Sequence, residues 1–86
     1  MKLTIKYSNQ ALKFFKKVDK YLYYRFNEAI NDLSVEPFPH DSKRIEGSKL
    51  KLFRIRIGKY RLLYEVDYGN NLLGIVKIDK RDNIYN

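Results

Sequence analysis

The clearest pattern along the chain is an alternation of apolar and basic residues between positions 53 and 66. This period of two predicts two β-strands, each with one apolar face, joined by a turn at Gly58 and Lys59. A two-residue loop that begins with glycine suits a type II′ turn and fixes which residues face each other. The predicted apolar pairs are Phe53 with Tyr64, Ile55 with Leu62, and Ile57 with Tyr60.

The other face of this hairpin gathers arginines. The same register sets Arg56 directly opposite Arg61, with Arg54 two residues away on the same face. Like charges that face each other destabilise a sheet, and a multiply charged anion such as an RNA backbone would offset their repulsion through charge-assisted contacts. The pattern fits an anion-binding face, and it also fits an ordinary strand face whose arginines bend into water.

Upstream of the hairpin, the pattern predicts one strand and two helices. Alternation over positions 3 to 7 predicts the strand, Ser8 or Asn9 caps the first helix, and Asp19 caps the second. The apolar residues at helical spacing are Ala11, Phe14, Phe15 and Val18 in the first helix, and Leu22, Phe26, Ala29, Ile30 and Leu33 in the second. Residues 34–50 follow neither period and predict a connecting loop, in which His40 is a solvated residue.

A third strand of the meander is predicted after the turn-forming residues 67–71. If residues 68–70 form a three-residue loop, the apolar pairs are Val66 with Leu72, Leu62 with Val76, and Tyr60 with Ile78. Lys77 then lies opposite Arg61, and Asp79 and Arg81 fall on the same charged side. The chain is thus predicted to be one α+β domain over residues 1–86, with the order β-α-α-β-β-β, an antiparallel meander, and both helices on one face of the sheet.

The charge of the chain indicates that its binding partner is acidic. The chain carries a net charge of +8, and residues 43–61 hold eight basic side chains against one acidic one. There is no cysteine, which excludes disulfides and thiolate metal sites. The N-terminus lacks the apolar run of a signal peptide, and no segment approaches membrane-spanning length, so we expect a cytoplasmic protein with no membrane association.

Two segments carry a more specific signal. Residues 53–67 read Phe-Arg-Ile-Arg-Ile-Gly-Lys-Tyr-Arg-Leu-Leu-Tyr-Glu-Val-Asp, and residues 80–85 read Lys-Arg-Asp-Asn-Ile-Tyr. Together with Gly47 and the predicted order of elements, they resemble the RelE/ParE superfamily of toxins from prokaryotic type II toxin–antitoxin systems. The resemblance spans nearly the whole chain. It is carried by the arginine-rich strand, the Gly-x-Tyr-Arg turn and the closing Lys-Arg followed by tyrosine.

For the RelE branch, the resemblance implies a ribosome-dependent endoribonuclease, an mRNA interferase that cuts translated mRNA in the A site by metal-independent attack of the 2′-OH. The catalytic residues implied by matching positions are Arg54, Arg56, Arg61, Arg81 and Tyr85. The basic residues expected to bind RNA around them are Lys43, Arg44, Lys49, Lys51, Lys77 and Lys80. No cofactor or metal is implied. Arginine is a poor base, and Arg54 and Arg56 stand where some relatives have lysine, so the general base is not assigned.

The resemblance also implies partners. A RelB-like acidic antitoxin is expected to mask the basic face, the ribosome and mRNA are the expected target, and operator DNA is reached only through the antitoxin. Two other functions fit the same residues. One is a ParE-like toxin that poisons DNA gyrase, and the other is a non-catalytic RNA-binding module. An arrangement that brings Arg61, Arg81 and Tyr85 together on one face would favour the nuclease over the gyrase poison.

Overall fold

The computed structural model describes residues 2–47 and 51–80 of the chain. The described elements are β1 (Thr4–Tyr7), α1 (Asn9–Lys17), α2 (Lys20–Val35), β2 (Lys43–Arg44), β3 (Phe53–Ile57), β4 (Tyr60–Asp67) and β5 (Leu72–Lys80). The predicted α+β class, with a strand and two helices before the meander, is confirmed. The short strand β2 is an addition, because it lies in the segment predicted to be a loop.

Side-chain caps set where both helices begin. The Ser8 Oγ accepts a hydrogen bond from the Ala11 backbone N–H at 3.1 Å. The Asp19 Oδ1 accepts one from the Leu22 backbone N–H at 2.9 Å. Each bond satisfies a donor that the first helical turn leaves without an intrahelical partner. The cap Asp19 is as predicted, and of the two candidates for the first helix Ser8 is the cap, while Asn9 is the first helical residue.

The five strands form one mixed sheet in the order β1-β5-β4-β3-β2. β1 runs parallel to β5, and the other neighbours are antiparallel. The hairpin of β3 and β4 has the predicted register, including Arg56 opposite Arg61. Gly58 has a φ of 60°, while Lys59 keeps a negative φ, and this combination fits the predicted type II′ turn rather than type I′.

The predicted register between β4 and β5 is wrong. Asp67 pairs with Leu72, so the loop has four residues instead of three, and Asn71 takes a positive φ of 55° to close it. A β-bulge between Leu63 and Tyr64 shifts the pairing by one further residue. The observed pairs are Val66 with Leu73, Leu62 with Ile78, Tyr60 with Lys80, Leu63 with Lys77, and Arg61 with Asp79.

Both helices pack on one face of the sheet and enclose the core between them and the strands. The fully buried side chains come from both layers and include Phe26, Ile30, Leu62, Tyr64, Leu73 and Ile78. The Tyr64 hydroxyl donates a hydrogen bond to the Pro37 carbonyl at 2.6 Å and ties the loop after α2 to β4. No helix within residues 2–47 and 51–80 is long and apolar enough to cross a membrane.

Candidate functional site

The face of the sheet turned away from the helices carries a cluster of basic side chains. Because side chains alternate along a strand, Arg54, Arg56 and Arg61 leave the sheet on the side opposite to the buried Ile55 and Leu62. The pairing adds one lysine from β2 and one from β5 to the same side. We call this cluster the basic face; it consists of Lys43, Arg54, Arg56, Arg61 and Lys77.

The register arranges this face in two rows across the sheet. One row runs through Lys43, Arg54, Leu63 and Lys77. The second row runs through Arg56, Arg61 and Asp79. Leu63 is only 9% exposed although it lies on this side of the sheet. The first row therefore has three cations, which suit contacts with phosphates, and one apolar side chain, Leu63, between Arg54 and Lys77.

A carboxylate stands inside this basic cluster. The Asp79 Oδ1 lies 3.8 Å from the Arg61 Nε, and the Asp79 Oδ2 lies 3.6 Å from the Lys77 Nζ. The sequence placed Asp79 on this side but set Lys77 opposite Arg61, so these ion pairs were missed. Asp67, whose carboxylate binds Asn70 across the loop, is the sequence signal that favours the longer turn. We see no sequence signal for the bulge.

The end of β5 that bears Asp79 is held by a helix side chain. The Gln10 Nε2 donates to the Ile78 carbonyl at 2.8 Å, and the Ile78 N–H donates to the Gln10 Oε1 at 2.9 Å. Gln10 thus satisfies both backbone groups of Ile78, as a neighbouring strand would. This pair of bonds anchors α1 to the strand next to Asp79.

The other predicted site residues are placed elsewhere or are not described. Arg44 lies opposite Phe53 and Lys80 lies opposite Tyr60, so both side chains leave the sheet on the helix side, away from the basic face. Lys51 is exposed just before β3. Three predicted residues lie outside the described ranges: Lys49, Arg81 and Tyr85. The prediction that Arg61, Arg81 and Tyr85 share one face, which would separate a nuclease from a gyrase poison, therefore also falls outside the described residues.

A groove beside α2 is unsuited to an RNA backbone. It has a volume of about 540 Å³ and lies between α2 and the outer edge of β3, where Arg56 lines it together with three acidic residues, Asp32, Glu36 and Asp41. Three carboxylates against one guanidinium group leave the groove with a negative balance, which would repel phosphates. His40 is exposed in the neighbouring loop, and within the described ranges no three His, Cys, Asp or Glu side chains group as metal ligands do. The basic face is therefore the strongest candidate for the site.

Comparison with known proteins identifies relatives of this chain. The family described as ParE toxin of type II toxin–antitoxin system, parDE, matches residues 5–85. A candidate toxin of Methanocaldococcus jannaschii, RelE1, is 33% identical, with 99% of this chain and 97% of the relative covered.

Solved structures agree with this relationship. The archaeal RelE–RelB complex of Pyrococcus horikoshii contains a chain that is 32% identical, with a TM-score of 0.80 and coverage of 94% of this chain and 97% of that one. The toxin–antitoxin complex RelBE2 of Mycobacterium tuberculosis contains one that is 28% identical, with a TM-score of 0.79 and coverage of 94% and 100%.

Proposed function

This chain belongs to the RelE/ParE family of toxins from type II toxin–antitoxin systems, and on that premise we propose that it is an endoribonuclease that cuts mRNA in the ribosomal A site. By cutting messages under translation, it inhibits protein synthesis in the cytoplasm. The observation that carries this proposal is the basic face. Arg54, Arg56 and Arg61 occupy adjacent positions on two paired strands, on the side of the sheet away from both helices.

This arrangement suits the stabilisation of a phosphoryl group during RNA cleavage. The 2′-oxygen forms a bond to the adjacent phosphorus, the bond from phosphorus to the 5′-oxygen breaks, and the proton of the 2′-OH passes to a base while the leaving oxygen gains one. Negative charge accumulates on the phosphoryl oxygens along this path. Guanidinium groups stabilise it by charge-assisted hydrogen bonds that require no metal.

The roles of individual residues follow from charge and from the family resemblance. Arg54, Arg56 and Arg61 hold the scissile phosphate and stabilise the charge that develops on it. Arg81, by resemblance, adds a further cation, and Tyr85 stacks on a base or transfers a proton. Lys43 and Lys77 bind phosphates on either side of the cut.

We further propose that an acidic antitoxin of the RelB type masks the basic face. The Pyrococcus and Mycobacterium relatives are complexes of RelE-type and RelB-type proteins, and this supports such a partner. A net charge of +8 favours a partly disordered acidic chain that folds on this surface. Operator DNA is then contacted by the antitoxin and not by the toxin.

The direct test adds purified protein to a translation reaction and maps the 5′ ends of the mRNA with ribosomes present and absent. We expect cuts in register with the reading frame that require ribosomes and are lost in Arg81→Ala. Intact message in every reaction would overturn the nuclease. Binding to RNA that weakens with salt, without any cleavage product, would instead identify a non-catalytic RNA-binding module.

The family match to ParE toxins favours one second candidate, a toxin that poisons DNA gyrase. It would use the same fold and basic hairpin without cutting RNA. A gyrase supercoiling assay separates the two, because a gyrase poison blocks supercoiling and leaves translated messages intact. A nuclease cuts translated messages and leaves supercoiling unaffected.

A further inference from the structure

Asp79 is an acidic residue within a basic site, and its contacts are unusual. The Arg61 Nε and the Asp79 Oδ1 are both buried from solvent, and neither has a hydrogen-bond partner. Their separation of 3.8 Å is within ion-pair range but too long for a hydrogen bond. Buried polar atoms without a partner are uncommon in proteins, and they often mark functional positions.

The geometry of the pair distinguishes the two sides of the guanidinium group. Arginine presents five N–H donors in a planar fork, and Asp79 lies nearest to the Nε side of Arg61. The terminal nitrogens Nη1 and Nη2 can still bind a phosphate through two parallel hydrogen bonds. A carboxylate on the Nε side therefore restrains the arginine without occupying the end that binds an anion.

The neighbours of Arg61 make this restraint necessary. Arg56 lies directly opposite Arg61 on one side, and Asp79 lies opposite it on the other. Attraction to Asp79 draws the guanidinium of Arg61 toward β5, on the side away from the strand of Arg56. The side chain of Arg61 is 22% exposed, so it has room to move if the attraction is removed.

We propose that Asp79 is a positioning residue for the RNA-cleavage reaction: it holds Arg61 by the Nε side so that the terminal nitrogens meet the scissile phosphate. This inference rests on the proposed nuclease function. Asp79 does not touch the substrate and acts through Arg61. Lys77, whose Nζ lies 3.6 Å from the second carboxylate oxygen, keeps Asp79 in place.

A merely structural ion pair would behave differently. The side chains of Arg61 and Asp79 are only 22% and 20% exposed, so removal of the Asp79 charge leaves a mostly buried Arg61 without its counter-charge and lowers stability. Loss of the Asp79 charge should also lower the rate of the chemical step in the folded protein, which the loss of a merely structural pair would not do. It should not weaken substrate binding, because the removed charge repels phosphate.

The test compares Asp79→Asn with Glu65→Gln in cleavage of mRNA on ribosomes. Glu65 is an exposed residue of β4 on the same side of the sheet, so Glu65→Gln removes one negative charge without touching Arg61. We expect Asp79→Asn to lower kcat between about tenfold and a hundredfold, with KM unchanged or reduced, since a small displacement of a positioning group has effects of this size. Glu65→Gln should leave kcat unchanged. An unchanged kcat in Asp79→Asn, or an equal loss in both variants, would overturn the proposal.

Two further measurements make the result decisive. If Asp79 acts through Arg61, then adding Asp79→Asn to Arg61→Ala should lower kcat no further, whereas independent, multiplicative losses would contradict the proposal. The NMR order parameter of the Arg61 Nε–H group in the protein without RNA should fall in Asp79→Asn and stay constant in Glu65→Gln. The order-parameter measurement does not depend on RNA cleavage. Wild-type protein that fails to cut RNA would therefore refute the proposed function alone, while an unchanged order parameter would refute the restraint on Arg61.

Discussion

Arg56 and Arg61 lie directly opposite each other on adjacent strands, on the face of the sheet that the helices do not cover. Two cations at cross-strand positions repel each other, and such pairs disfavour a hairpin. A phosphate group between them would reverse the sign of that interaction.

The first prediction concerns the phosphate contacts of the strand arginines. Arg54→Ala and Arg56→Ala should each weaken binding of single-stranded RNA about tenfold at low salt, because each removes a charge-assisted contact. Each should also reduce the slope of log affinity against log salt by about 0.7. Fluorescence anisotropy of a labelled oligonucleotide over a salt series measures both quantities. Lys13→Ala, on the exposed side of α1, is the matched control and should leave the slope unchanged.

The second prediction separates two neighbours in the sequence. Lys43 lies beside Arg54 on the basic face, whereas Arg44 lies opposite Phe53 and leaves the sheet on the helix side. Lys43→Ala should therefore reduce the salt slope of RNA binding, and Arg44→Ala should leave it near the wild-type value. The same anisotropy titration measures both variants. Equal losses would mean that the sheet face does not decide which basic residues bind RNA.

The third prediction concerns the turn that fixes the register of the hairpin. Gly58 has a φ of 60°, and a side chain there forces a strained backbone, so Gly58→Ala should lower the free energy of unfolding by about 1–3 kcal/mol. Urea unfolding measures this change. An added Cβ would lie 3.1 Å from the Arg25 Nη1, which is a flexible group that can move aside, so the backbone causes most of the loss. Lys59→Ala in the same turn should change stability by less than about 0.5 kcal/mol. A stable Gly58→Ala protein would refute the type II′ turn.

The fourth prediction concerns Tyr64, whose buried hydroxyl donates to the Pro37 carbonyl at 2.6 Å. Tyr64→Phe should lower the free energy of unfolding by about 1–3 kcal/mol, because the carbonyl loses its donor, and it should leave RNA cleavage intact. Burial raises the pKa of Tyr64 above its ordinary value of 10.0. Its contribution to stability is therefore full below pH 10 and is lost as the pH rises through the folded-state pKa.

Urea unfolding at pH 7 and at several pH values above 10 tests the pH dependence. Wild-type protein should lose stability over the alkaline range, and Tyr64→Phe should lose less, because the variant lacks the buried phenol. An equal alkaline loss in both proteins would show that other groups dominate the titration.

The sequence was sufficient for those parts of the fold that local chemistry determines. A two-residue loop beginning at Gly58 allows only one register, so the arginine cluster on β3 and β4 could be predicted to the residue. The caps Ser8 and Asp19 were predicted for a similar reason, since their side chains bond to backbone groups three residues away.

The rest depended on backbone irregularities that residue patterns do not encode. The bulge opposite Leu63 and Tyr64 adds one unpaired residue to β5, Val76, without changing the apolar period enough to be seen. Together with the four-residue loop, the bulge shifts the register by two residues, which places Asp79 opposite Arg61 and Lys77 opposite Leu63. The strand β2 has two residues, too few for any period. These pairings place Arg44 and Lys80 on the helix side of the sheet, although both were expected to bind RNA around the site.

The most direct test of the account measures the cleavage rate of ribosome-bound mRNA by wild-type protein, by Arg61→Ala and by the control Lys13→Ala. We predict cuts in register with the reading frame for wild-type protein and for Lys13→Ala at the same rate. In Arg61→Ala the rate should fall at least a hundredfold, because a cation that stabilises the phosphoryl charge is removed. Cleavage by Arg61→Ala at the wild-type rate, or no cleavage by any of the three proteins, would contradict the claim that the basic face of the hairpin cuts mRNA.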